Sequence, residues 1–84
     1  MFGFIYFDDN PKLTPDYKIL DLSRQYFKKF KRPATVCYVN PTTFENVIGE
    51  YSLNTPEYKI VHFIRIQPDK LVKPNEYKFG EIND

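Results

Sequence analysis

Read for its apolar positions, the chain opens on Met1 to Phe7 (MFGFIYF), where Phe2, Phe4 and Tyr6 occupy one alternating set and Ile5 and Phe7 the other. Apolar residues on both sets predict a strand covered on both faces, slightly weakened by Gly3. Asp8 to Pro15 (DDNPKLTP) then gathers turn formers and ends it. From Thr14 the period changes. A threonine that can accept an orphan amide, a first-turn proline and Asp16 at the positive dipole end make a helix start. Ile19, Leu22, Tyr26, Phe27 and Phe30 then recur at helical spacing. The pattern predicts an amphipathic helix over Pro15–Lys31 with Tyr26, Phe27 and Phe30 in its buried stripe, stopped by Pro33.

Ala34 to Val39 (ATVCYV) is β-branched and aromatic on both alternating sets and reads as a central strand. Asn40 and Pro41 repeat the cap-and-proline start, and Phe44, Val47 and Ile48 share a face of a short helix that Gly49 can end. Glu50 to Glu57 is a polar, exposed and mobile connection. A long alternating strand follows: Tyr58, Ile60, His62, Ile64 and Ile66 point one way, and Lys59, Val61, Phe63, Arg65 and Gln67 the more wetted way, until Pro68. Asp69 to Asn75 is a loop with Leu71 and Val72 turned inward, and Glu76 to Ile82 is a final short strand before a frayed tail, Asn83–Asp84.

These elements predict a single domain over residues 1–84 of the α/β (α+β) class: a small mixed sheet of about four strands, in the order β-α-β-α-β-β. One long amphipathic helix and one short helix pack on the sheet. The first strand–helix–strand unit favours parallel neighbours, and the last two strands, joined by a few residues, an antiparallel pair.

Composition sharpens this picture at one point. An 84-residue chain removes only roughly 60–65% of its unfolded surface from water, yet this one carries eight Phe and seven Tyr. Each buried ring takes on the order of 150–250 Å² with it. More ring surface is present than one thin core hides, so part of it is expected at an interface. One cysteine, Cys37, excludes an internal disulfide and favours the cell interior. The opening residues lack a basic lead and run into Asp8 and Asp9, unlike a signal segment. No stretch reaches the roughly 20 apolar residues of a membrane span.

Net charge is +1, but between Arg24 and Arg32 five cations (Arg24, Lys28, Lys29, Lys31, Arg32) stand without an acid. Such a block, interleaved with rings, can neutralise phosphates while a ring stacks on a base. It equally serves as a solvated helix end that complements the dipole. Asp8, Asp9 and Asn40 could offer oxygens to Mg²⁺ at the carboxyl ends of parallel strands, though Asp-Asp-Asn-Pro is also an ordinary turn and is read as one.

His62 is the only histidine, placed in mid-strand, and a general-base or hydrolase reading would rest on it with Asp8 and Asp9. No serine, Ser23 and Ser52 included, has a nucleophile motif around it. Cys37 reads as a small core residue. Gly3, Gly49 and Gly80 are too scattered for a phosphate loop. The resulting expectation is a cytoplasmic, non-enzymatic protein-interaction or structural module, without cofactor or metal. Its partner is itself, as a homodimer, or another protein, through an aromatic-rich sheet face or the edge of the long third strand. The alternative is a nucleic-acid-binding protein that uses the basic block.

Overall fold

The computed structural model describes residues 4–7, 13–50, 55 and 57–81. The acidic turn at Asp8–Asp9, most of the polar connection before Glu57, Ile82 and the tail Asn83–Asp84 lie outside them. In chain order the elements are β1 (Phe4–Phe7), α1 (Pro15–Phe30), β2 (Val36–Val39), α2 (Pro41–Asn46), β3 (Lys59–Val61), β4 (Ile64–Pro68) and β5 (Glu76–Gly80). The mixed α+β class and the two helices stand as expected, but the sheet has five strands, in the order β1-β5-β2-β4-β3.

The additional strand arises where one long strand was expected. His62 and Phe63 have φ of 49° and 66°, and the register Val61↔Ile64, Ile60↔Arg65 and Lys59↔Ile66 folds the segment back on itself. Two central residues at positive φ make a type I′ turn, the geometry that matches the twist of a tight hairpin. The turn also changes the facing of side chains. Across a two-residue loop the flanking residues share a face, so Lys59 and Val61 lie on the same side as Ile64 and Ile66. Lys59 and Val61, read as wetted, therefore face the helices, whereas Ile60 lies on the opposite side with Arg65.

Neighbour order differs too. β1 and β2 run parallel, but β5 lies between them and is antiparallel to both. β4 pairs with β2 in parallel, so the last two strands are separated by β2 and do not pair. Burial gives the reason: Tyr77 and Phe79 of β5 are 2% and 0% exposed and belong under the helices at the middle of the sheet. Phe79 stands opposite Cys37, and Cys37 in turn opposite Ile66. With Ile19, Leu22 and Tyr26 of α1 and Phe44 of α2 they form one cluster on a single face.

Local chemistry sets the helix ends. The Thr14 hydroxyl accepts from the Tyr17 amide at 3.4 Å, and Pro15 follows. At the other end Lys31 takes a left-handed conformation (φ 60°) and its amide donates to the Phe27 carbonyl at 2.8 Å. Asn40 caps α2, accepting from the Thr42 amide at 2.9 Å while its Nδ2 donates to the Val72 carbonyl at 2.9 Å. α2 ends at Asn46, before Val47, which is extended; Val47 is buried, but Ile48, expected on the helix's apolar face, is exposed. Leu71 is likewise exposed, and only Val72 turns inward.

Two long-range contacts tie the short helix to the rest. Lys59 Nζ donates to the carbonyls of Phe44 at 2.8 Å and Val47 at 2.6 Å, and sits 4.7 Å from the Phe44 ring centre. An ammonium taken partly out of water is tolerated when its donors are satisfied, and here it closes the carbonyls at the end of α2. Asp16 accepts from the Ile48 and Gly49 amides, both at 2.8 Å, holding the following loop against the first turn of α1. Replacing Lys59 by Met keeps the aliphatic stem over Phe44 but removes both bonds. The expected loss, read from urea unfolding, is about 1.5–3 kcal/mol, against less than about 0.5 kcal/mol for the exposed Lys70→Met control.

Candidate interaction surface

The predicted site was the basic block at the end of α1, and the structure divides it. Arg32, although exposed, pairs with Glu81 at 2.8 Å. Glu81 also lies beside the Tyr26 phenol: burial first, then the Glu81 carboxylate, hold that phenol above its ordinary pKa, with Arg32 pulling the other way. Lys28, Lys29 and Lys31 are exposed at the last turn and cap. Arg24 is set apart from them, lining a cleft beside the β3–β4 turn.

The rings next to these cations are placed differently from the sequence reading. Tyr26 is buried, with its ring centre 4.6 Å from that of Phe30 and 6.4 Å from that of Phe79. Phe27, expected in the buried stripe, is 51% exposed. The reason is angular. At about 100° per residue, the helix centres its buried side on Ile19, Leu22 and Tyr26, and Phe27 falls roughly a quarter-turn outside it. On that outward flank it joins Leu20, Arg24 and Tyr17, the last 55% exposed.

The flank faces the hairpin tip across two clefts. One, of about 390 Å³, is lined by Tyr17, Leu20, Glu50, Val61 and His62, among others. The other, of about 240 Å³, is lined by Ser23, Arg24, Phe27, Ala34, His62 and Ile64, among others. His62 borders both. It was expected in mid-strand; it is instead an exposed turn residue between two openings.

Phe63, its neighbour, is 91% exposed. Holding a large side chain at positive φ costs roughly 1–2 kcal/mol, and here the cost is carried by a ring left in water. Sequence reading missed this surface because the alternation of residues 58–67 continues unbroken through the turn. The signal that could have found it is the length of that run, ten residues where strands average five or six.

Cys37 is fully buried, and burial pushes its thiol well above its ordinary pKa, the opposite of what a nucleophile needs. Asn40 spends both ends of its amide on backbone groups. Among the described residues no three His, Cys, Asp or Glu side chains stand close enough to hold a metal ion, and no helix is long and apolar enough to cross a membrane. In comparisons with known proteins, the chain matches no family model, no curated protein and no solved structure.

Phe63 buries little of its ring against the rest of the fold. The double substitution His62→Asn, Phe63→Gly supplies the dipeptide that type I′ turns favour, and thermal unfolding is expected to show a gain of about 1–2 kcal/mol. A loss of stability would mean that the ring supports the hairpin.

Proposed function

We propose that this chain is a small, non-enzymatic protein-interaction module of the cytoplasm that self-associates, in its simplest form as a homodimer. The observation that carries the interaction part of the reading is Phe63, a ring 91% in water at the tip of a turn held at positive φ. Strain kept at an exposed position points to function. Phe27 and Tyr17, each more than half exposed, line clefts bordered by His62, the residue before Phe63. The buried Cys37 thiol and the turn position of His62 leave neither in a nucleophile–base arrangement, which supports the non-enzymatic part of the reading.

Light scattering over a range of concentrations tests self-association. Particles of two chains are expected; a single chain at the highest soluble concentration would overturn it. The flank is tested separately with Phe27→Ser and Phe63→Ser, singly and together. Phe63 is almost wholly in water, so Phe63→Ser should leave stability within about 0.5 kcal/mol of the parent, whereas Phe27→Ser, which uncovers the half of the ring that is buried, is expected to cost on the order of 1–2 kcal/mol.

A second reading, nucleic-acid binding through Arg24, Lys28, Lys29, Lys31 and Arg32, gains from the exposure of Phe27 among these cations. It loses from the Glu81 carboxylate that occupies Arg32. Its test is a labelled single-stranded oligonucleotide. Affinity should fall with salt by a log–log slope of about −0.7 per phosphate contacted, and should drop when Lys28, Lys29 and Lys31 become Ser. No binding at low salt excludes it.

A further inference from the structure

Besides its buried side, α1 carries a second stripe. Tyr17, Leu20, Arg24 and Phe27 follow one another at a three-four-three spacing, which at about 100° per residue gathers them within roughly 80° of the helix circumference. Such spacing lines one helix up against another. Tyr17 and Phe27 are 55% and 51% exposed, so the stripe is not spent on this chain's own core. Its charges are sorted by end. The exposed acids Asp21 and Glu50 stand beside the first half of the helix, where Glu50 shares a cleft with Tyr17 and Leu20. The exposed cations Arg24 and Lys28 stand on the second half, and α1 has no acid after Asp21. Lys18, the cation of the first half, lies roughly 140° around the helix from the middle of the stripe.

From this sorting we infer that the α1 flank is the seam of the homodimer, with α1 of a second copy laid antiparallel along the stripe. The inference rests on the self-association proposed above and names where it occurs. Charge selects the occupant. A nucleic acid, or a uniformly acidic protein, would bring its charge onto Asp21 and Glu50 as well as onto the cations, and like charges in contact are costly. A second copy avoids that conflict. Running antiparallel about a two-fold axis, its acidic half meets the basic half of this chain, and the reverse contact forms at the same time.

The rings and the guanidinium fix where the axis passes. Near residue 22 it sets Tyr17 opposite Phe27 of the second copy and Leu20 opposite Arg24. An axis at Arg24 would bring two guanidinium groups face to face. In the favoured register each Phe27 covers the cleft of about 390 Å³ lined by Tyr17 and Leu20 of the other copy, and symmetry makes the aromatic pair twice. Arg24 then reaches Asp21 of the second copy, and Lys28 reaches its Glu50. Phe63 follows His62, which borders the same cleft, and so lies at the rim of the seam.

Concentration-dependent light scattering of two variants of the full chain tests the seam. Asp21→Lys with Glu50→Lys makes the flank basic throughout, and Arg24→Glu with Lys28→Glu makes it acidic throughout. Each alone is expected to raise the dimer dissociation constant at least about tenfold, whereas an equimolar mixture of the two should associate within about threefold of the parent. All four side chains are exposed, so the core is untouched. A second readout needs no variant: nitration of Tyr17 in the unaltered protein should slow as concentration rises through the dimer range. A dimer that withstands either reversal, a mixture no tighter than its components, or Tyr17 nitration indifferent to association overturns the seam and leaves self-association standing. A parent protein that is monomeric throughout overturns both. If that monomer binds the labelled oligonucleotide and the Arg24→Glu, Lys28→Glu variant does not, the flank belongs to nucleic acid.

Discussion

The turn at His62–Phe63 decides which side chains of the hairpin meet the helices. Because two residues, both at positive φ, reverse the chain, Val61 and Ile64 share a face. Lys59 is thereby carried to the helix side, where its ammonium reaches the carbonyls at the end of α2. A straight strand through the same residues would turn Lys59 away from Ile64 and Ile66, leaving those carbonyls without their cap. The strain held at two turn residues is thus offset by a lysine bonded across the sheet.

The other half of the fold depends on β5. Strands β1 and β2, joined by α1, would pair directly in the simplest arrangement, yet the last strand enters between them. Phe79, wholly buried opposite Cys37, and Tyr77, opposite Val39, supply ring volume at the centre of the sheet. α1 lies over this pair with Tyr26, and Ile19 and Leu22 complete the contact. Deleting the Phe79 ring would cost about 3–5 kcal/mol, a large share of what a domain this small can hold. The strand farthest along the chain is therefore indispensable to the pairing of the first.

What the sequence made legible were features written locally: the threonine and asparagine caps, the prolines at first helical turns, and the apolar period of Ile19, Leu22 and Tyr26. These act within a turn of the residues that carry them, so residue type and spacing suffice. The hairpin was hidden because His-Phe is not a favoured type I′ pair and because alternation runs unbroken across the turn. Strand order was hidden for another reason: local connection rules do not register that Tyr77 and Phe79 need the most covered position. The basic block was visible as composition, but the Arg32–Glu81 pair joins residues 49 positions apart in sequence, and Phe27's exposure turns on about a quarter-turn around the helix.

The expectation that ring surface exceeds what the core can absorb takes a more specific form in the structure. Among the described residues Phe79, Tyr77, Tyr26 and Phe44 are covered, and the most exposed rings are Tyr17, Phe27 and Phe63. Tyr17 and Phe27 each line a cleft that His62 borders, and Phe63 follows that histidine in the turn. Among the described residues β1 forms the sheet edge farthest from the hairpin. A self-associated chain that left these rings open would offer the same aromatic surface twice, and a partner with two matching sites would gain affinity from the second contact without any new one within the domain.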